Sequence, residues 1–158
     1  MIDQTRFSEN LKPTAILDWE CPAIRALVTD LRQKYADDRE LLKSAHRQLA
    51  QSVRPIYTLH ELQPASVTVH KKWGSCSQRM ACLEAIARAA GIPTRARALR
   101  ISGRFWYPRF RTIRMFLPKD VLLVWPQFLL NDDWIDVDEI YASLTNRSAR
   151  IARIPQRW

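Results

Sequence analysis

One cysteine stands where its thiol could act as a nucleophile. Cys76 follows Trp73-Gly74-Ser75, and Ser75 is a favoured residue for capping the start of a helix. A thiol in the first helical turn lies near the positive end of the helix dipole and near backbone N–H groups, which favour the thiolate. Gly74 would let a substrate approach the backbone closely. The alternative for Cys76 is a small apolar side chain at a buried helix start, and Cys82 is predicted to be a core residue.

A second group of residues could bind an anionic polymer. Residues 91–117 contain seven arginines and no acid, with aromatic residues at positions 105, 106, 107 and 110. Guanidinium groups contact phosphates and aromatic rings stack on bases, so Arg104 and Trp106 are candidate nucleic-acid contacts. The alternative is a solvated strand face on which arginine stems cover apolar neighbours. Some of the five acids in 132–139 are expected to pair with these arginines.

The hydrophobic periodicity predicts helices in the first half of the chain. Helical spacing begins behind Pro22, and Asp37 or Asp38 is expected to cap a second helix. The segment 57–72 has no clear period and is predicted to be a loop with short extended pieces. The Ala-rich helix that starts at Ser75 is predicted to be central, wrapped by other elements, and to end before Gly91.

Strand patterns follow the central helix. The expected strands are residues 96–102, 112–117, 121–130 and 134–137, separated by turn signals. Helices first and antiparallel strands afterwards predict an α+β fold, with the sheet packed on the central helix.

Length and composition predict one globular domain. The chain has 158 residues, of which 47% are hydrophobic and 26% are charged, and its formal net charge of +9 favours anionic partners. We divide it into an N-terminal arm (1–20), a core (22–141) and a basic C-terminal tail (142–158).

Metal, cofactor and membrane binding are not predicted. The three cysteines and three histidines show no ligand spacing, and no apolar run is long enough to span a bilayer. The first ten residues carry two acids and lack the apolar core of a signal peptide. Together with the unevenly spaced cysteines, which suit a reducing compartment, this predicts a cytoplasmic location.

Two blocks of the sequence resemble the transglutaminase-like superfamily. The first runs from Trp73-Gly-Ser-Cys76 through the predicted helix to Gly91-Ile-Pro-Thr-Arg95. Members of that superfamily place a nucleophilic cysteine at the start of a central helix that ends in such a turn. The second block, residues 125–138, is similar to the segment that carries the family's other two catalytic residues. The resemblance covers about residues 40–141 and implies a transglutaminase-like, papain-like core.

The resemblance implies a Cys-His-Asp triad, of which this sequence keeps two positions. Cys76 occupies the position of the nucleophile, and Asp138 that of the acid which orients the base. The histidine should lie two residues before Trp125, where the chain has Leu123, and no histidine follows Cys76. Gln127 stands where a glutamate usually follows. Leucine can neither accept the thiol proton nor protonate a leaving amine, so the triad is predicted to be degenerate.

Other residues are candidates for the missing role and for substrate binding. His70 is the histidine nearest to Cys76 in sequence and is the candidate substitute base, with Lys71 and Lys72 as further candidates that would need desolvation to titrate near neutrality. The alternative for His70 is an exposed residue in a basic loop. The candidate binding residues suggested by the resemblance are Trp73, whose indole N–H could serve an oxyanion, Trp125 and Gln127.

Three functions remain open. The domain could be a pseudoenzyme whose cleft binds a partner, or an altered thiol-dependent acyltransferase or hydrolase acting through Cys76, alone or with a substitute base. The expected partners are then a peptide, a protein or a carrier-bound acyl group, and the positive charge would suit an acidic partner protein. The third function is nucleic-acid binding through the Arg-rich residues 95–114.

Overall fold

The computed structural model describes residues 7–56, 62–102 and 120–141 of the chain, without the side chains of residues 101 and 121–123. The predicted strand 112–117, the candidates Arg104 and Trp106, and the basic tail lie outside these residues. Short 3₁₀ helices cover Ser8–Leu11 and Glu139–Tyr141. The other elements, in chain order, are α1 (Pro22–Lys34), α2 (Asp38–Ser52), β1 (Arg54–Pro55), α3 (Ala65–Lys71), β2 (Trp73–Gly74), α4 (Cys76–Ala89), β3 (Thr94–Ser102), β4 (Asp120–Leu130) and β5 (Asp133–Asp136).

Helices α1 and α2 begin where the sequence predicts. Pro22 occupies the first turn of α1, and the Asp37 side chain accepts a hydrogen bond from the Glu40 N–H at 2.9 Å. Each helix buries one apolar stripe, which packs against the central helix α4. The buried stripe residues are Ile24, Val28 and Leu31 on α1, and Leu41, Leu42, Ala45 and Leu49 on α2.

Helix α4 is the centre of the described fold, as predicted. Helices α1, α2 and α3 and strand β4 all pack on it, and most of its residues are buried. A capping box holds its first turn: the Gln78 N–H donates to Ser75 Oγ at 3.3 Å, and the Ser75 N–H donates to Gln78 Oε1 at 2.9 Å. At the other end Gly91 adopts φ +81°, a left-handed conformation that glycine takes without strain. Cys76 is therefore held in the first turn of a helix fixed at both ends.

The prediction of a loop over residues 57–72 is wrong for its second half, where the chain forms α3. The sequence of α3 has little intrinsic helix preference because it carries β-branched residues at 67, 68 and 69. Contacts with other segments of the chain stabilise α3 in place of intrinsic helix preference. Ala65 and Thr68 are fully buried, and the Ser66 N–H donates to Asp18 Oδ1 at 3.0 Å. This N-terminal partner lies 48 residues away, so local pattern could not reveal it.

Strands β3, β4 and β5 form an antiparallel sheet in that order. Thr94 pairs with Phe128 and Phe128 with Ile135, and Phe128 is fully buried in the core beside α4. Asn131 and Asp132 join β4 to β5, both with positive φ, as in the two-residue turns that match the twist of a hairpin. The predicted α+β fold, with an antiparallel sheet on the central helix, is confirmed.

A buried polar cluster fixes the sheet against the second half of α4. Thr94 Oγ1 donates to Glu84 Oε2 at 3.0 Å and accepts from Arg88 Nε at 2.8 Å. Burial raises the pKa of Glu84, while the hydrogen bond from Thr94 and the charge of Arg88 lower it. The cluster joins the second half of α4, the helix that begins at Cys76, to Thr94, the first residue of β3.

Candidate active site

The two cysteines of α4 lie in different environments. Cys76, the first residue of the helix, is partly exposed. Cys82 is fully buried, its Sγ donates to the Ala65 carbonyl oxygen at 3.5 Å, and burial raises its pKa to about 12. Cys82 is therefore a core residue, as predicted, and it is inert at neutral pH. Of these two thiols, Cys76 is the more exposed, and its role as a nucleophile stays a prediction.

Gly74 serves packing in this structure rather than close approach by a substrate. A Cβ atom at this position would lie 2.8 Å from Thr68 Cγ2 and 3.0 Å from Gln78 Oε1. The backbone of β2 thus passes directly against α3 and against the capping residue of α4. The sequence-based role for Gly74 is corrected accordingly: the missing side chain makes room for the protein's own Thr68 and Gln78.

A buried arginine lies one turn along α4 from the cysteine. Arg79 is only 5% exposed, and its Nε has no hydrogen-bond partner among the described residues. Burial lowers the pKa of Arg79, whereas the thiolate charges of Cys76 and then Cys82 oppose that effect. Arg79 and Cys76 therefore interact electrostatically across the first turn. Sequence reasoning missed Arg79 because arginine at a buried helix position is rare.

His46, which the sequence reasoning passed over in favour of His70, lies close enough to Arg79 for the positive charge to act on its imidazole. Its Nδ1 is 2.6 Å from the Tyr141 hydroxyl, and the two rings meet edge to face. Burial, followed by the positive charge of Arg79, lowers the pKa of His46 from 6.5 to about 4. A sequence signal for its position existed, since His46 lies four residues after Leu42 and three before Leu49, beside the buried stripe of α2.

The depressed pKa of His46 predicts a pH dependence of stability. Between about pH 6.5 and pH 4 the unfolded chain binds a proton at His46 that the folded chain refuses. The stability that depends on a neutral His46 is therefore fully present above pH 6.5. It is lost as the pH falls from 6.5 towards 4. Urea unfolding at several pH values should show that loss in the natural chain relative to His46→Gln. Glu84 and Asp138 have raised pKa values and act in the opposite sense, but both chains share them, so the difference isolates His46. Parallel pH profiles for the two chains would contradict the assignment.

Asp138, the position of the triad acid, lies beside Trp125. The Val137 N–H donates to the Pro126 carbonyl oxygen at 3.1 Å, which continues the β4–β5 register and sets Asp138 opposite Trp125. The Trp125 side chain donates a hydrogen bond to the Asp138 carboxylate. Partial burial of the carboxyl group raises the pKa of Asp138, and the charges of Asp136 and Glu139 raise it further; a backbone hydrogen bond and the Trp125 bond lower it.

Leu123 lies two residues before Trp125 on β4, and its backbone pairs with Leu99. Strand geometry separates its Cα from that of Trp125 by roughly 7 Å. The triad roles of positions 123 and 138 stay predictions, with leucine in the position of the base.

Gln127 joins the three strands of the sheet. Its Oε1 accepts from Arg95 Nε at 2.7 Å, and its Nε2 donates to Asp136 Oδ1 at 2.8 Å. The Arg95 guanidinium also stacks on Trp134, 4.3 Å from the ring centroid. Both ends of the Gln127 amide are thus used inside the sheet, while its role as a binding residue stays a prediction.

The described arginines of the Arg-rich stretch contact the protein itself. Arg97 pairs with Asp136 at 3.5 Å, Arg100 pairs with Asp120 at 2.6 Å, and Arg95 is held as above. The expectation that acids from the following segment meet some of these arginines is confirmed by Asp136. No observation supports the nucleic-acid alternative.

The remaining candidates lie on α3 and β2. His70 is exposed in the last turn of α3, and Lys71 Nζ donates to Gln63 Oε1 at 3.0 Å. Lys72 is also exposed and ends α3 in the left-handed conformation. Trp73 is half-buried on β2, with Lys71 Nζ 5.1 Å from its ring centroid. The substitute-base and oxyanion roles of these residues stay predictions. Within the described segments, no group of three or more His, Cys, Asp or Glu residues is arranged to hold a metal ion.

Comparison with protein families identifies the class. Residues 25–139 match the family described as the transglutaminase-like superfamily, which is more than half of the chain. The chain belongs to the transglutaminase-like superfamily. Comparison with curated protein sequences gave no match.

A solved structure has a similar fold. The crystal structure of the periplasmic domain of TgpA from Pseudomonas aeruginosa matches with a TM-score of 0.54 and 22% sequence identity, covering 88% of this chain and 49% of that chain. At this identity the likeness concerns the fold alone, and the chain spans about half the length of that domain. Since that neighbour is periplasmic, a cytoplasmic location stays a prediction. None of the helices in the described segments is both long and apolar enough to cross a membrane.

Proposed function

We propose that this chain is a histidine-independent acyltransferase in which the Cys76 thiolate attacks activated acyl groups such as thioesters. The observation that carries the proposal is the contrast between the two cysteines of α4. Cys82 is buried and held as a thiol, whereas Cys76 is partly exposed in the capped first turn. That position offers the thiolate the helix dipole and backbone N–H groups.

The proposed reaction needs no protonated base in its first step. The Cys76 sulfur attacks the thioester carbonyl carbon, a new C–S bond forms, and the bond to the leaving sulfur breaks. The leaving thiolate keeps the electron pair and is stable without a proton near neutral pH. An amine or water then attacks the acyl-Cys76 thioester, Cys76 leaves again as a thiolate, and the proton of the nucleophile passes to solvent. Transfer to an amine makes an amide, and transfer to water is hydrolysis.

Amides are poor substrates in this proposal because their leaving group must be protonated. In the family triad that proton comes from histidine, and Leu123 cannot supply it. A general acid contributes about 10²–10⁴-fold to such a step, so thioesters should be favoured over amides by at least about that factor. The substrate class is accordingly a peptide, a protein or a carrier bearing an activated acyl group. An acidic carrier would complement the formal net charge of +9.

The test compares a thioester with the amide of the same acyl group. Incubation of the full chain with the thioester should acylate the peptide that contains Cys76, as seen by mass spectrometry, and the amide should not. Cys76→Ala should abolish acylation of that peptide, and so should Cys76→Ser, because a serine hydroxyl needs a base to ionise. Cys21→Ser is the matched control and should react as the natural chain does.

The opposite result would favour a pseudoenzyme. If Cys76 acquires the acyl group no faster than glutathione does under the same conditions, the proposal fails. The domain would then be a binding module, whose partner should bind Cys76→Ala as tightly as the natural chain.

A further inference from the structure

Arg79 places a buried positive charge one turn along α4 from Cys76. Arg79 follows Cys76 by three residues on α4, and side chains at that spacing are neighbours on one helix face, with Cβ atoms about 5–6 Å apart. Arg79 is 95% buried, because only 5% of its surface is exposed. A guanidinium group stays protonated under all physiological conditions, so this site holds a permanent charge.

That charge is not balanced by a carboxylate in the described part of the chain. The ion pairs found in residues 7–56, 62–102 and 120–141 involve other arginines, namely Arg32, Arg97 and Arg100. Over the same residues, Arg79 Nε finds no hydrogen-bond acceptor. An uncompensated charge in a protein interior costs several kcal/mol, so a nearby anion would stabilise the fold as well as itself.

Among the residues that the structure describes, the other titratable neighbours of Arg79 do not supply that anion. His46 has a pKa of about 4 and is a neutral imidazole at pH 7. The thiol of Cys82 stays protonated because burial raises its pKa to about 12. In the described segments, Cys76 is the remaining group whose charge acts on Arg79, and it lies at the helix end that favours a negative charge.

We propose that Arg79 takes over one task of the missing histidine, as the fixed cation that holds Cys76 in the thiolate form. The attraction is mutual. The Cys76 thiolate stabilises the charged guanidinium, and the guanidinium stabilises the thiolate relative to the thiol. Arg79 is a positioning residue in this proposal and does not touch the acyl group.

In this proposal Arg79 performs only one of the two tasks that the family's histidine performs. An imidazolium both stabilises the thiolate and gives its proton to a leaving amine, whereas a guanidinium can only stabilise the thiolate. The inference thus deepens the proposed function and rests on it for the role of Cys76. It also explains the expected preference of the site for leaving groups that depart without a proton.

The test is the pH profile of Cys76 alkylation by iodoacetamide, followed on the Cys76 peptide by mass spectrometry. The natural full-length chain should show a midpoint below about 8.5, the value of a free thiol. Arg79→Met, which keeps the bulk and removes the charge, should raise the midpoint by about one unit, a tenfold slower reaction below both midpoints. Arg79→Lys keeps the charge and should stay close to the natural chain. If Arg79 had only a structural role, the methionine and lysine variants would show the same midpoint of Cys76 alkylation.

Cys82 provides an internal control for folding in the same digest. It is fully buried, so its alkylation would report that a variant has opened. If Arg79→Met unfolds the protein, the alkylation profile of Arg79→Gln is measured instead. A midpoint at or above 8.5 in the natural chain overturns the inference without any variant. Equal midpoints for the methionine and lysine variants, with Cys82 protected, also overturn it.

The two proposals can fail separately because this experiment uses no acyl substrate. A low midpoint without acyl transfer from thioesters would remove the proposed function and keep the role of Arg79. Acyl transfer with an ordinary midpoint would keep the proposed function and remove the role of Arg79.

Discussion

Replacing Leu123 with histidine is expected to turn amides into substrates, with a rate increase on the order of 10²–10⁴-fold over the natural chain. The introduced imidazole would supply the proton that a leaving amine needs. The resemblance places the family's histidine at position 123, two residues before Trp125, and the Val137–Pro126 hydrogen bond sets Asp138 beside that tryptophan. An acid hydrogen-bonded to the introduced imidazole would orient it and stabilise its protonated form.

The measurement is release of a chromogenic amine from an anilide by the Leu123→His chain. Leu123→Gln is the matched control, since glutamine is polar but cannot transfer a proton, and it should show no gain. Leu123→His combined with Cys76→Ala should also be inactive, which would assign the new activity to the thiol. Thermal unfolding of each variant should first confirm that it is folded. A folded histidine variant no faster than the glutamine variant would contradict the placement of position 123 in the site.

Replacing Phe128 with alanine is expected to lower the free energy of unfolding by about 3–5 kcal/mol, the largest stability effect that we predict. Phe128 is fully buried at the centre of the sheet, paired with Thr94 on one side and Ile135 on the other. Truncation removes its apolar surface from the core and leaves a cavity beside α4, which the surrounding elements cannot fill without moving. The loss is comparable to the whole stability of a small domain.

Val124→Ala is the matched control for Phe128→Ala. Val124 lies four residues earlier on the same strand but is 40% exposed, so its truncation should cost less than about 1 kcal/mol. Urea unfolding followed by tryptophan fluorescence measures both variants against the natural chain. Similar losses for the two variants would contradict the burial of Phe128 against α4.

Local signals predicted the elements whose determinants lie close together in sequence. Ser75 and Asp37 cap their helices through residues three positions later, and Gly91 ends α4 with a positive φ. The turn at Asn131 and Asp132 is likewise marked by residue types that tolerate the left-handed conformation. Cys76 could be placed in the first helical turn for the same reason.

The parts that sequence reasoning missed depend on contacts between distant segments. Helix α3 starts at a hydrogen bond from Ser66 to Asp18, and its residues have weak helix preference on their own. The contact of His46 with Tyr141 joins α2 to the end of the described chain, 95 residues later. Arg79 could not be singled out from the sequence, because its sequence neighbours do not show that its side chain is buried. Nor do they show that it has no acidic partner in the described segments. Electrostatic environments of this kind follow from packing.

The most direct test of the account is the rate at which Cys76 of the natural chain reacts with iodoacetamide at pH 7. Glutathione in the same solution and the Cys21 peptide serve as references. An ordinary thiol is only a few per cent ionised at this pH, so a Cys76 thiolate should react at least about tenfold faster than glutathione. That result would establish an activated nucleophile in a site without its histidine. A Cys76 that reacts no faster than glutathione would contradict the activated thiolate on which the account rests.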